Sequence, residues 1–174
     1  MNDQLLSEAR AEVFARIDEG SACPCCDQHV KVYARPLYNV MGAWLIWAAR
    51  CGETVHVREG PAVRGGDFAK LVHWGLMEAV GGARTGRWDV THLGHAFVAG
   101  EIKVPSHVYL YNGRIWRRSG DDGFSSKLVS ILDVLGTKFD YAELMALSAQ
   151  EARERIAKIG GQMVLPFAVL DRPE

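Results

Sequence analysis

Three of the four cysteines in the chain lie within four positions, in the stretch Cys23-Pro24-Cys25-Cys26. Cys23 and Cys26 have the Cys-x-x-Cys spacing at which two thiolates can bind one metal ion. In a reducing compartment, such a cluster indicates metal binding or reactive thiols more than disulfides. The cluster therefore leaves three hypotheses open: a metal site, inert buried thiols, and redox or nucleophilic chemistry.

Zinc is the metal that this spacing predicts, and a closed structural zinc site needs four ligands. The sequence has no second Cys-x-x-Cys pair. The two missing ligands are expected among Cys51, His56, His29 and His107. Cys51 and His56 lie five positions apart across a predicted turn, so the candidate metal site is Cys23, Cys26, Cys51 and His56.

Catalytic motifs are not found around these residues. A cysteine nucleophile needs a positioned histidine and an orienting carboxylate, and no such motif surrounds Cys25. None of the six histidines lies in a His-Glu-x-x-His or His-x-Glu pattern, which would activate water on a metal. The glycines at 81, 82 and 86 stand between two predicted strands and not before a helix, unlike a phosphate-binding loop. We therefore expect no enzymatic activity.

Basic side chains form the second group that could bind a ligand. A helix predicted over 67–75 would bury Phe68, Leu71 and Val72. Lys70 and His73 would lie on its opposite side. The candidate DNA-binding residues are Arg58, Arg64, Lys70, His73, Arg84 and Arg87. Helices enter the major groove of DNA, and basic loops contact the minor groove or the backbone. The alternative is a solvated charged surface, since Glu59, Asp67, Glu78 and Asp89 are close in sequence.

Hydrophobic periodicity and turn residues predict the elements that position these groups. Helices are expected over 3–18, 38–50, 67–75, 91–100, 127–135 and 140–159, and strands over 29–35, 54–57, 77–80 and 87–91. The glycine-rich segment 81–86 joins two of the strands. Asn112-Gly113 predicts a hairpin within 105–118, and the apolar stretch 163–170 is predicted as a terminal strand.

Residues 39–100 resemble the winged-helix regulators, including the MarR-like group, at two places. One is the helix leading into Trp74-Gly75-Leu76-Met77-Glu78, and the other is Thr91-His92-Leu93-Gly94, a form of the Thr-x-x-Gly turn that follows the wing. The resemblance implies a recognition helix at 67–75 and a wing with its tip at 81–86. A full helix-turn-helix also has a helix directly before the recognition helix, whereas residues 58–66, with Pro61, have room for one turn at most.

Composition sets the broad class of the protein. The chain has 174 residues, 48% of them hydrophobic, and a net charge of −1, so a nucleic-acid surface would have to be a local patch. The start of the chain does not resemble a signal peptide, and no run of 18 apolar residues occurs. We expect a cytoplasmic α+β protein with no membrane segment. Its expected parts are an N-terminal helix and cysteine knuckle (1–36), a winged-helix core (37–104) and a hairpin with C-terminal helices (105–174).

The sequence predicts a DNA-binding regulator, a phage or prokaryotic transcription factor that binds double-stranded DNA as a homodimer. The terminal helices at 3–18 and 140–159 are the expected dimerisation elements, because both have apolar stripes. The whole chain also looks like small uncharacterised bacteriophage proteins with a Cys-Pro-x-Cys knuckle. The alternative function is therefore a non-enzymatic phage-type protein that binds and inhibits a host protein through Tyr109, Tyr111 and Trp116.

Overall fold

The structure, a computed structural model, describes residues 5–82, 84–118 and 127–161, without the side chains of residues 64–67. The described α-helices are α1 (Leu6–Ala15), α2 (Asn39–Cys51), α3 (His92–Val98), α4 (Ile131–Leu135), α5 (Tyr141–Ala146) and α6 (Ala149–Gly160), and a 3₁₀ helix spans Arg64–Trp74. The described strands are β1 (Ser21–Ala22), β2 (His29–Val30), β3 (Tyr33–Pro36), β4 (Val55–His56), β5 (Met77–Ala79), β6 (Arg87–Val90), β7 (Val104–Pro105), β8 (His107–Tyr111), β9 (Arg114–Arg118) and β10 (Leu128–Val129). The predicted α+β fold class is confirmed.

Contacts divide the described residues into two compact units. The first unit takes its residues from Met1–Leu37 and Lys103–Val129, and the second from Tyr38–Ile102 and Ser130–Glu174. Each unit is therefore built from two separate stretches of the chain. This division differs from the expected three consecutive parts, because strands that are distant in sequence pair with one another.

The first unit is organised around an antiparallel sheet in the order β3-β8-β9. Asn112 and Gly113 connect β8 to β9 with φ angles of 48° and 72°. Both angles are positive, as the tight turn of a two-residue hairpin requires. The predicted hairpin is thus confirmed, and β3 extends it, with Tyr33 opposite Leu110. Two smaller pairs, β1-β2 and β7-β10, complete the strands of this unit.

The second unit is built around α2, which is buried over eight consecutive residues from Met41 to Ala48. A helix that is apolar on every side can be stable only if other elements cover it all round. The 3₁₀ helix, β6 and helices α3 to α6 all pack against it. Gly42 is close to the neighbouring helix α4, since a Cβ atom there would lie 2.9 Å from Val134.

The second unit also contains a three-stranded antiparallel sheet in the order β4-β6-β5. β6, the last of these three strands in sequence, lies in the middle of the sheet. It pairs with β5, and the glycine-rich segment 81–86 joins the two strands into a hairpin. Helix α3 follows β6 directly and is capped by Thr91, whose hydroxyl accepts a hydrogen bond from Gly94 N (3.0 Å) and donates one to the carbonyl of Gly75 (2.6 Å). This cap fixes the start of α3 against the end of the 3₁₀ helix.

Several element boundaries differ from the prediction, each for a local reason. The expected strand at 29–35 is two strands, because the N–H of Val32 donates instead to the carbonyl of Ile17 (2.9 Å). The expected helix at 3–18 ends at Ala15, and the apolar stretch 163–170 lies outside the described residues.

The two expected C-terminal helices are also divided. The segment 127–135 is the short strand β10 followed by α4, which begins after a capping box formed by Ser130 and Asp133. The segment 140–159 is two helices, because Leu147 adopts an extended backbone and Ser148 caps α6 together with Glu151. Reciprocal side-chain caps of this kind start a new helix even where the apolar pattern continues.

Gly94 tests the junction between the 3₁₀ helix, the sheet and α3. A Cβ atom at this position would overlap the carbonyl oxygen of Leu76 and lie 2.7 Å from Val90. We predict that Gly94→Ala lowers the free energy of unfolding by about 1–3 kcal/mol, the usual cost of overpacking a core. Urea unfolding measures this change. His95→Ala, at an exposed position of the same helix, is the control and should change stability by less than about 0.5 kcal/mol. Equal stability of both variants and the parent protein would contradict the close contact.

Candidate functional site

The 3₁₀ helix differs from the α-helix that the sequence predicts at 67–75. A 3₁₀ helix has three residues per turn, so side chains three positions apart form one row. Phe68, Leu71 and Trp74 make the inner row, and Leu71 and Trp74 are buried. The prediction that Val72 is buried is wrong, since 44% of this residue is exposed. The α-helical period groups positions 68, 71 and 72 on one face, whereas the observed period separates Val72 from the other two.

Aromatic contacts hold the 3₁₀ helix in place. The ring of Phe68 stacks on the fully buried indole of Trp44 in α2, with centroids 4.4 Å apart and an interplanar angle of 13°. The same ring meets Trp88 of β6 edge to face, at 6.4 Å. Such pairs add about 0.5–1.5 kcal/mol each beyond the burial of their area. The helix is thereby fixed to both α2 and the sheet.

Lys70 and His73 form a second row on this helix, and both are half-buried. The pKa of His73 is lowered, first by burial of the imidazole and second by the positive charge of Lys70. Since the ordinary pKa of histidine is already below 7, this lowering favours the uncharged imidazole at neutral pH. Of the two residues predicted on this face of the helix, Lys70 is therefore the main source of positive charge.

Residues 80–86, which contain the predicted wing tip (81–86) and are called the wing below, form a tight loop between β5 and β6. Gly81, Gly82 and Gly86 have φ angles of 71°, 103° and 72°, which only glycine adopts without strain. The hydroxyl of Thr85 donates to the carbonyl of Val80 (2.6 Å) and accepts from the N–H of Arg87 (3.2 Å). This hydroxyl ties the two ends of the loop together. The wing residue Ala83 lies outside the described residues.

The structure places the remaining predicted arginines at different points of the same unit. Arg84 is exposed in the wing, and Arg87 is exposed at the start of β6, opposite His56. Arg58 lies close to the same histidine, because its backbone N–H donates to His56 Nδ1 (3.2 Å). The side chain of Arg64 lies outside the described part of the structure. The pairing of β4 with β6 thus brings Arg58 and Arg87 to a shared neighbour.

An acidic cavity on this unit was not predicted from the sequence. Its volume is about 510 Å³, and its titratable lining residues are Glu53, Glu78, Asp89, His92 and His95. Glu78 and Asp89 face each other across the β5-β6 pair, so their carboxylates lie on the same side of the sheet. The predicted strands placed Glu78 and Asp89 on either side of the wing, but packing adds Glu53, His92 and His95 to the lining. Negative charge here disfavours the approach of phosphate groups to this part of the surface.

The cysteine cluster lies at the tip of the β1-β2 hairpin, in residues 23–28, which we call the cysteine tip. The carbonyl of Cys23 accepts hydrogen bonds from the N–H groups of Cys26 (3.3 Å) and Asp27 (2.8 Å), and Cys23 N–H donates to the carbonyl of Gln28 (2.8 Å). Asp27 has a φ of 59° and turns the chain back toward β2. Cys25 and Cys26 are exposed, and Cys23 is half-exposed. The hypothesis of inert buried thiols therefore does not apply to these three residues.

Backbone groups act on the thiol of Cys23. Its pKa is lowered, first by the N–H group of Cys25 and next by that of Cys26, both of which donate hydrogen bonds to the sulfur. The pKa of Cys25 is raised, first because neighbouring atoms displace part of the water around its exposed thiol and next by the charge of Cys23. Donors aimed at a sulfur favour its thiolate, which is both the metal ligand and the nucleophile.

The other predicted zinc ligands are divided between the two units. Cys51 and His56 belong to the second unit, and His56 is occupied through Nδ1. The His29 ring lies beside Gly20, where a Cβ atom would be 2.8 Å from its Nε2, and His107 Nδ1 is 2.9 Å from the Ser106 hydroxyl. Within residues 5–82, 84–118 and 127–161, no three histidine, cysteine, aspartate or glutamate side chains are grouped as ready metal ligands.

The aromatic hairpin, predicted as an anchor for a partner protein, packs against α1 of its own unit. Trp116 contacts Phe14 (centroids 5.3 Å apart) and Tyr111 (5.9 Å). The guanidinium of Arg117 lies over the Tyr109 ring at 4.7 Å and pairs with Asp18 at 2.7 Å. These contacts use the hairpin to hold the unit together, and 42% of Trp116 stays exposed.

Comparison of the chain with protein-family models, with curated protein sequences and with solved structures finds no match. In the described part of the chain, every helix is too short or too polar to cross a bilayer.

The electrostatic coupling on the 3₁₀ helix gives a direct test. Because the charge of Lys70 contributes to the lowered pKa of His73, Lys70→Gln should raise that pKa toward its ordinary value. NMR titration of the imidazole protons measures the shift, and Arg84→Gln, which changes a charge in the wing, is the matched control. A pKa of His73 at or above its ordinary value in the unaltered protein would contradict the half-buried position.

Proposed function

We propose that the second unit is a winged-helix domain that binds double-stranded DNA, and that the protein is a phage or prokaryotic transcription regulator. The observation that carries this proposal is the order of elements around the sheet. A buried helix leads into β4, the 3₁₀ helix precedes β5, the wing joins β5 to β6, and a Thr-capped helix follows. This is the order that the resemblance to winged-helix regulators implies.

The 3₁₀ helix replaces the expected recognition helix and limits what the domain can recognise. Eleven residues at a rise of about 2 Å per residue give a length of about 22 Å, enough to cross a major groove about 12 Å wide. Only the row that contains Lys70 and His73 offers polar side chains to base edges among the described side chains. We therefore expect binding that depends mainly on phosphate contacts, with modest sequence preference.

The segment before the 3₁₀ helix contains a turn in place of a helix. The N–H of Glu59 donates to the carbonyl of His56 (2.9 Å), and the N–H of His56 donates to Glu59 Oε2 (3.1 Å). Gly60 lies directly on the Trp44 indole, since a Cβ atom there would be 2.8 Å from Nε1. This turn presents Arg58 at the surface, so the cation can contact a phosphate without a preceding helix.

Four of the predicted DNA-binding residues whose side chains the structure describes are cations. Arg58, Arg84 and Arg87 are exposed, and Lys70 is half-buried. Four contacts would give a slope of log affinity against log salt of about −3.6, which is small for a specific DNA-binding protein. A second copy would double the number of contacts, and two copies bind two half-sites. Homodimerisation is therefore part of the proposal.

The apolar stripes of the terminal helices do not by themselves require a dimer. Val13 is buried in the first unit, and Leu144 and Ile156 are buried in the second. Leu6 is different, because 77% of it is exposed. The apolar stripes therefore belong mainly to the cores of the two units. The proposed dimer contact uses the exposed start of α1 or another surface.

Charge neutralisation separates phosphate contacts from base contacts. We predict that Arg84→Gln with Arg87→Gln weakens binding to every duplex and flattens the salt slope by about 2, since each phosphate contact contributes about 0.9. Arg114→Gln, at an exposed position of β9 in the other unit, is the matched control and should change neither quantity. Fluorescence anisotropy with genomic fragments at about 0.05–0.2 M salt measures both.

Replacing Lys70 should act differently, because a side chain in the groove discriminates between bases by about 1–3 kcal/mol for a good pair. Lys70→Gln is expected to reduce the affinity difference between preferred and random duplexes more than it reduces average affinity. If no duplex binds more tightly than about 10 micromolar, which is weaker than specific binding proteins achieve, the DNA proposal is wrong. The hypothesis of a host-protein partner then becomes the better one.

A further inference from the structure

The cysteine tip is a loop, closed by backbone hydrogen bonds, on a short hairpin. Cys23 closes it with three backbone hydrogen bonds, through its carbonyl to Cys26 and Asp27 and through its N–H to Gln28. Cys23 and Cys26 therefore stand at the two ends of one hydrogen-bonded backbone turn before any ion binds.

Two thiols held in this way fit a soft, thiophilic divalent cation. Zinc takes four ligands in a closed site with Zn–S distances of about 2.3 Å, and the Cys-x-x-Cys spacing supplies two of them. One hairpin offers half of a tetrahedral site.

A second copy of the same chain can supply the other half. The tip is accessible, because Cys25 and Cys26 are exposed and Cys23 is half-exposed. A twofold axis through the metal would bring an identical pair of thiolates to it, and twofold contacts are the commonest closed arrangement of identical chains. We propose that Cys23 and Cys26 of two copies bind one zinc ion between them, so that zinc links two chains through their cysteine tips.

The neighbouring candidate ligands fit this arrangement less well within one chain. Cys25 is two positions from Cys23 and next to Cys26, so it lacks the Cys-x-x-Cys spacing of paired zinc ligands. His29 lies beyond the tip, where it pairs with Ala22, and its ring covers Gly20. The proposal concerns the first unit alone and does not depend on DNA binding by the second.

The test uses the full chain, stripped with chelator and titrated with zinc alone. Native mass spectrometry should show a dimer with one zinc per two chains, and sedimentation should show self-association strengthened about 100-fold at a zinc concentration 100 times its dissociation constant. X-ray absorption at the zinc edge should give four sulfurs at about 2.3 Å. Zinc binding releases protons from the thiols, so the affinity for zinc should rise with pH.

Variants identify the ligands. Cys23→Ser and Cys26→Ser should each abolish the zinc-linked dimer, whereas Cys51→Ser, in the second unit, should leave it unchanged as the matched control. Circular dichroism checks that the variants keep their fold, which is expected because the tip is exposed. One zinc per monomer, loss of binding in Cys51→Ser, or no uptake of zinc at micromolar concentration would each overturn the proposal.

Discussion

The burial of α2 is the constraint on which the second unit depends. Its eight consecutive buried residues cannot face water at any point of the helix circumference, so the chain has to return to it with four further α-helices, the 3₁₀ helix and β6. Trp44 links α2 to the elements around it, because Phe68 stacks on its indole and Gly60 lies against the same ring. The elements proposed to contact DNA are therefore positioned by the core. A substitution that reshapes the space around Trp44 would move the 3₁₀ helix and the turn before it together.

The wing and α3 depend on a second, smaller junction. Thr91 joins the carbonyl of Gly75 to the first turn of α3, and Gly94 allows that turn to lie directly on Leu76. This explains in physical terms why a Thr-x-x-Gly sequence follows the wing. The charges are distributed unevenly around the same sheet, since Glu78 and Asp89 line a cavity while Arg84 and Arg87 are exposed at and beside the wing. This uneven distribution of charge fits a single orientation toward the DNA of the proposal. The net charge of −1 alone does not reveal the distribution.

Local signals in the sequence predicted the elements whose causes are local. The apolar run in α2, the Asn112-Gly113 turn and the Thr91 cap all lie where they were expected. The pairing of β3 with β8 could not be predicted, because it joins residues more than 70 positions apart. The period of the 3₁₀ helix was also missed, since Phe68, Leu71 and Val72 fit an α-helical face equally well. At the candidate sites, the sequence identified the cysteines and the arginines, but the lowered pKa of His73 and the acidic cavity arise from packing.

Hydrogen exchange measured with and without duplex DNA tests the central claim, that the second unit binds DNA with its 3₁₀ helix and wing. Backbone amides in 64–75 and in the wing should become more slowly exchanging in the complex, while those of β8 and β9 stay unchanged. Slowing of exchange confined to the hairpin of the first unit, with none in 64–90, would contradict the claim.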